Sequence, residues 1–441
     1  MEKLLKAVEK YTDLMLEAER YIWNNPETGY KEFKTNAYMQ EQFEKLGYNL
    51  TKAEGITGFY TTVDTGREGP TVLILGELDS VVCFSHPDCN KETGAVHACG
   101  HNCQCSALLG IAGALKEEGV LDNLCGKIKL CAVPAEELLE IDYRNELIKK
   151  GVIKYLGGKT EFMSRGYFDD VDMAIMVHTG GNLSVGYGHI GCVAKKITYK
   201  GKSAHAGAVP WDGKNALYAA TNGLSMVNAI RETFRDEDKI RFHPIITQGG
   251  SIVNAIPETV KIESYVRGKT YDAIVNSNKR INQALIGSAL SVGGNIEIQD
   301  FPGYAPEIND ENMIAIARQA STLALGIECG QGSLSSGSTD MGDLSCVMPT
   351  VQPFSSGAIG IGHGNDYRIA DVKKATVDSA KLQVAMVYLL LKDNAERAKK
   401  VLGEFKPRFE SKQAYFDYVS KIFSSGDRIE YNADGNAKII L

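Results

Sequence analysis

Three apolar runs, each closing on an acid or a histidine, constrain this chain most. TVLILGELD (71–79) ends in Asp79, KIKLCAVPAEE (127–137) in Glu136-Glu137, and DMAIMVH (172–178) in His178. The segments between them carry helical patterns, among them SALLGIAGALKEEG (106–119), closed by Gly119. Buried strands spaced by helices predict βαβ units and an α/β fold with a parallel sheet. In such sheets, sites form at the carboxyl ends of the strands. Each residue alone has a simpler role, since a lone acid caps a turn and a lone histidine packs. Three strand ends that all carry metal-type ligands point to one site.

The pattern changes near residue 190. CVAKKITYKG (192–201) alternates as a half-exposed strand does. NALYAATNGLSMVNAIRETF (215–234) reads as an amphipathic helix, and three more strand-like runs follow, with a helix near 271–290 between them. The order β-α-β-β-α-β predicts an inserted α+β domain of the split-βαβ, ferredoxin-like type over 190–303. Residues 1–189 and 304–400 then form the main domain, and 401–441 reads as its C-terminal extension.

The 441 residues suit two domains. Lys+Arg 48 against Asp+Glu 55 gives 48 − 55 = −7. An acidic chain without a basic run argues against nucleic acid or an anionic membrane as partner. No apolar stretch approaches the ~20 residues of a membrane span. The N-terminus alternates charged and apolar residues at helical spacing, unlike a signal or transit peptide. The expectation is a cytoplasmic protein. Its ten cysteines then read mostly as buried free thiols.

The chemistry gathers in a few segments. In HACGHNCQCSALLG (97–110), Cys99 and His101 stand two apart, so in extended backbone they share a face. A thiolate and an imidazole so placed can hold Zn²⁺ or a similar ion. Glu136 and Glu137 offer one carboxylate for a metal and one to take a proton from water. His205 lies in GKSAHAGAVPWDGKNAL (201–217) and His363 among glycines in GIGHGNDY (360–367). GGKT (157–160) is not a phosphate-binding loop, because no glycine stands at 153.

With these residues in view, the chain resembles the M20 metallopeptidase family, in its amidohydrolase branch. GELDS (76–80), HACGHN (97–102), PAEE (134–137), His178, the His205 segment, GGSIVNAIPE (249–258) and GSTDMGDLSCVMPT with His363 match in order. The STD-x-GD-x-S-x-x-x-PT form is similar to the aminobenzoyl-glutamate hydrolase and β-alanyl-dipeptidase subgroup. The resemblance implies a catalytic domain with a mixed, mostly parallel sheet and an inserted lid and dimerisation domain. It implies one or two divalent ions, Zn²⁺ or Mn²⁺, on Cys99, His101, Glu137, His178 and His363, with Cys99 bridging. It makes Glu136 the general base and Asp79 the acid that orients a ligand histidine. It makes His205 the group that polarises the scissile carbonyl, often from a dimer partner. Asn254 becomes a substrate contact and Arg267 a carboxylate clamp. The implied reaction is hydrolysis of the amide bond in a small N-acyl amino acid or dipeptide-like substrate.

One run departs from many relatives. After CGH comes Asn102-Cys103-Gln104-Cys105. Cys103 and Cys105 are either extra soft ligands or packing at the helix start. This run is the sole support for a rival reading, a metal-binding but non-hydrolytic small-molecule binder. A third reading, a structural zinc or iron–sulfur site on the 89–105 cysteines, fits none of the usual spacings. His97 is expected to support the ligands. His189 and His243 are expected to be structural.

Overall fold

The computed structural model describes residues 1–441, in two compact units. The first comprises Met1–His189, Glu307–Ser335 and Thr339–Lys412; the second comprises Ile190–Pro306, Ser336–Ser338 and Gln413–Leu441.

In the first unit, β1 (Thr51–Lys52), β2 (Phe59–Asp64), β3 (Thr71–Glu77), β4 (Lys127–Val133) and β5 (Met173–Ile175) form a sheet in the order β1-β2-β4-β3-β5, extended by Thr350–Val351. β3 runs parallel to both β4 and β5, while β2 is antiparallel to β4, so the sheet is mixed but mostly parallel. Every residue of β3 is buried, as is all of β4 after Lys127. Burial on both faces explains why these strands read as continuous apolar runs.

Helix α1 (His101–Leu115) is buried along its whole length. It begins five residues before the pattern suggested, because Gly100 takes the left-handed conformation (φ 85°) at its N-cap. A Cβ on Gly100 would lie 2.6 Å from the Tyr367 hydroxyl oxygen and 2.7 Å from Thr179 Cβ. Only glycine suits both the backbone and the space. The 172–178 run also divides. β5 ends at Ile175, and His178 belongs to the short strand His178–Thr179 of a separate four-stranded sheet.

In the second unit, β6 (Gly191–Lys200), β7 (Arg241–Phe242), β8 (Ile245–Gln248), β9 (Thr259–Gly268) and β10 (Asn295–Pro302) form an antiparallel sheet in the order β7-β9-β6-β10, with β8 also on β9. With helices spanning Ala216–Arg231 and Tyr271–Ser291 the order is β-α-β-β-β-α-β, the expected β-α-β-β-α-β series with its second strand divided into β7 and β8. β9 alternates buried and part-exposed residues along its length, the mark of a sheet with one packed face.

The tail corrects the expectation for 401–441. Residues 413–441 belong to the second unit, where Ser424–Asp427 pairs antiparallel with β10. Ile429 is buried in that unit's apolar core. The free edge of β10 offers unpaired backbone groups, and the tail satisfies them.

Candidate metal centre

Five predicted ligands converge in the first unit. Cys99, His101 and His178 form one trio of donor atoms lying within 4.8 Å of one another, and Cys99, Glu137 and His363 form a second. Cys99 is the shared member. A third trio joins Glu77, His101 and Glu136.

Local backbone geometry places these groups. Cys99 and His101 are not two residues of one extended turn. Gly100 reverses the chain between them, and His101 opens α1. At the end of β4, Ala135 has φ 55°, which turns the chain so that the paired glutamates leave the strand. His363 has φ 64° and is tied by its N–H to the Ala98 carbonyl at 2.8 Å. Such strained residues cost about 1–3 kcal/mol each and persist where the surroundings hold them.

Hydrogen bonds orient the rings. His178 Nδ1 donates to its neighbour's Thr179 carbonyl at 2.9 Å, which turns Nε2 to within 3.5 Å of Cys99 Sγ. His101 Nδ1 donates to the Asp79 backbone carbonyl at 2.9 Å, with Asp79 Oδ1 3.3 Å away. The other carboxylate oxygen, Oδ2, accepts the Glu137 N–H at 2.8 Å. His363 Nε2 lies 3.1 Å from Glu137 Oε1. Buried Arg144 donates to the Glu137 carbonyl and, at 2.7 Å, to the Leu156 carbonyl.

The charges are unusual. Glu32, Glu77, Asp79, Glu136, Glu137 and Asp340 are all buried. Burial, with Glu77 and Glu137 nearby, pushes the Glu136 carboxyl far above its ordinary range. Burial would raise Glu137 as well, but His363 and His101 hold it down at about 2. Burial and Glu137 oppose ionisation of Cys99, yet His101 and His178 bring its thiol down to about 6. The two histidines thus favour the thiolate, the form that binds metals. Perturbed groups gathered in one place point to a functional site.

The donors fit a divalent ion. His101 Nε2 and Glu137 Oε1 are buried without a hydrogen bond, an arrangement that costs free energy unless a cation faces them. One thiolate, three imidazoles and a carboxylate suit a first-row divalent ion.

The residues around the centre are placed as clearly. Cys103 and Cys105 are fully buried in α1 and belong to none of the trios; Cys105 donates to the Glu77 carbonyl at 3.0 Å. Asn102 donates to Glu19 Oε1 at 2.9 Å. His97 is buried and makes no ring hydrogen bond, so it does not support the ligands in the way expected; burial pushes its pKa down to about 3. His189 Nδ1 pairs with Glu307.

Sequence reasoning missed a buried ionic chain behind His101. Lys159, from the GGKT run, has no exposed side chain and lies between Glu77 and Asp340. Glu77 stands inside the GELDS match, yet no pattern marked it as facing His101. A buried lysine gives no periodic signal, because its partners come from distant segments.

The other predicted site residues lie in the second unit. His205 is exposed, and its Nδ1 accepts the N–H groups of Gly207 (3.2 Å) and Ala208 (3.1 Å). That leaves the ring proton on Nε2. A β-bridge joins His205 to Ala255, next to exposed Asn254. Arg267 donates from Nη1 to Ser338 Oγ at 2.8 Å and from Nε to His243 Nε2 at 3.1 Å. His243, read from sequence as structural, thus also orients Arg267. Burial and Arg267 lower its pKa, which favours the neutral ring that can accept.

No helix is long and apolar enough to cross a membrane.

Comparisons with known proteins agree with this geometry. Residues 73–391 match the family described as Peptidase family M20/M25/M40. The Xaa-Arg dipeptidase of Mus musculus is 25% identical over 410 residues, covering 88% of this chain and 84% of that protein. The indole-3-acetyl-aspartic acid hydrolase of Enterobacter agglomerans is 25% identical over 371 residues, covering 71% of this chain and 80% of that protein. A dinuclear metal-binding M20 peptidase from Bacillus subtilis superposes with a TM-score of 0.63 at 18% identity, over 87% of this chain and 99% of that one. The chain belongs to peptidase family M20/M25/M40 and is a metal-dependent amidohydrolase.

Proposed function

We propose that this enzyme cleaves the amide bond of a small N-acyl amino acid or dipeptide-like substrate of the aminobenzoyl-glutamate kind. The observation that carries the reading is the position of Cys99, shared by two donor trios, with the carboxyl of Glu136 next to Glu137. Cys99, His101 and His178 would hold one divalent ion, and Cys99, Glu137 and His363 would hold a second. The thiolate favours Zn²⁺, while Mn²⁺ suits the carboxylate and imidazoles. Bound there, such an ion supplies a Lewis acid that polarises a carbonyl and acidifies water.

Glu136 is the base. Its Oε2 lies 3.8 Å from His101 Nε2, and its raised pKa suits a group that takes a proton from water and returns it to the leaving amine. His205 presents an Nε2–H donor suited to an oxyanion. Arg267, held by Ser338 and His243, presents a guanidinium suited to a substrate carboxylate, and Asn254 adds an amide.

We assign a homodimer to the second unit. Its edge strand β8 is exposed at all four residues, with Ile245 62% and Ile246 40% exposed. An apolar edge of this kind favours pairing with another copy. The non-hydrolytic reading has no observation in its favour, because the Asn102–Cys105 run is accounted for by packing and hydrogen bonds within the first unit.

The test is a hydrolysis screen of the Zn²⁺- or Mn²⁺-loaded protein. The panel holds N-acyl amino acids, aminobenzoyl-glutamate, and β-alanyl, lysyl and arginyl dipeptides. Turnover by wild type but not by Glu136→Gln supports the reading. No turnover across the panel with metal bound overturns the substrate class.

A further inference from the structure

The ionic chain behind His101 is more than filler. Lys159 Nζ lies 2.5 Å from Glu77 Oε1 and 2.5 Å from Asp340 Oδ1. The Lys159 N–H donates to Asp340 Oδ2 at 2.8 Å, and Gln104 Nε2 donates to Glu77 Oε2 at 2.8 Å. Lys159 and Gln104 thus both hold the Glu77 carboxylate, and Asp340 holds Lys159 from its other side. Two carboxylates and one ammonium leave one negative charge in excess.

That excess faces His101. Glu77 Oε2 lies 3.1 Å from His101 Nε2. Nδ1 of the same ring already donates to the Asp79 carbonyl, so in the neutral ring Nε2 carries a lone pair. A lone pair and a carboxylate oxygen then stand at contact distance with no hydrogen bond between them. The two atoms keep that distance only with a cation between them, either a proton on the ring or a divalent ion held by both. Glu77 and His101 belong to one trio of possible ligand atoms, whose third member, Glu136, is the base in the proposed reaction. A carboxylate has about four lone-pair sites, so Lys159 and Gln104 do not exhaust Glu77.

We propose that Glu77 is a further ligand of the ion on the His101 side, held ready by Lys159 and Gln104. The inference rests on the metal-dependent reading above. It makes the two positions unequal: the His101 side gains a carboxylate partner of its own, and the His363 side keeps Glu137 alone. Gln104, part of the run that departs from relatives, then has a definite task in aiming Glu77.

The experiment compares wild type, Glu77→Gln and Gln104→Leu. Metal is counted by elemental analysis after dialysis, the apoproteins are titrated calorimetrically with Zn²⁺, and Co²⁺ spectra are recorded. Glu77→Gln is expected to retain one ion fewer than wild type. Its thiolate-to-Co²⁺ charge-transfer band should persist, because Cys99 still serves the Glu137–His363 side. Gln104→Leu keeps every charge and serves if Glu77→Gln fails to fold; it should weaken the same ion about tenfold, at the low end for a supporting hydrogen bond. Wild-type stoichiometry and affinity in either soluble variant overturns the Glu77 assignment. A wild type that binds no metal overturns the hydrolase reading itself, a separate outcome.

Discussion

The Asp79 carboxylate accepts the Glu137 N–H at 2.8 Å and so joins the ends of two neighbouring parallel strands, β3 and β4. The same residue receives His101 Nδ1 on its backbone carbonyl. One acid therefore sets the register between two proposed ligands, the Glu137 carboxylate and the His101 imidazole. Asp79→Ala should lower metal affinity by about 10- to 100-fold, the usual cost of losing a group that orients ligands. Calorimetric titration of the apoprotein measures it, and unchanged affinity would exclude this role.

Glu136 holds no ion in the proposed scheme, so its loss should separate binding from turnover. Glu136→Gln should keep the wild-type metal content while kcat falls by about 10²- to 10⁴-fold. Elemental analysis and steady-state kinetics on one preparation decide it. Near wild-type turnover would falsify the base assignment.

Cys99 belongs to both ligand trios. Cys99→Ala should weaken both ions together, whereas His363→Ala should weaken only one. Co²⁺ absorption reports this directly, because the thiolate charge-transfer band disappears in the first variant and survives in the second.

Glu32 gives a pH signature. It is fully buried, accepts the Ala135 N–H at 2.8 Å and the Thr57 hydroxyl at 2.5 Å, and burial together with Asp79 raises its carboxyl to about 7. The folded pKa exceeds the unfolded value, so the native state holds the proton more tightly. The associated stability is complete below about 4.5 and is lost as pH rises through about 7. Urea unfolding of wild type should therefore show stability falling across this window. Glu32→Gln should flatten the fall, at the expense of roughly 1–3 kcal/mol from one donor left without its acceptor.

The β8 edge predicts the assembly. Ile245→Lys places a charge on an exposed edge strand and should shift the protein from dimer to monomer in sedimentation velocity with little change in folding. A dimer that persists would place the interface elsewhere.

Much of this was legible in the sequence, for identifiable reasons. β3 and β4 are buried on both faces, so they show as unbroken apolar runs, and the acids at their ends stand out against them. The split-βαβ unit was legible because β9 alternates and its neighbouring helices are amphipathic. Cys99 and His101 stood out by spacing, and Glu137 and His178 by their place at strand ends, whereas the full proposed ligand set, with His363, came from the resemblance to the M20 family. The placement of residues 413–441 could not, because an edge strand of the sequence Ser424–Asp427 carries almost no apolar signal and finds its place by backbone pairing with β10.

The sequence by itself determined which residues are present to do chemistry and on which strand ends they lie, because periodicity and local turn chemistry act over a few residues. Only the tertiary structure decided how they meet. It turned the chain at Gly100 so that His101 begins a helix, made Cys99 the donor common to two trios, and buried Lys159 between Glu77 and Asp340. Those relations join segments tens to hundreds of residues apart. They follow from the need to pair every buried charge, a requirement that no local pattern encodes.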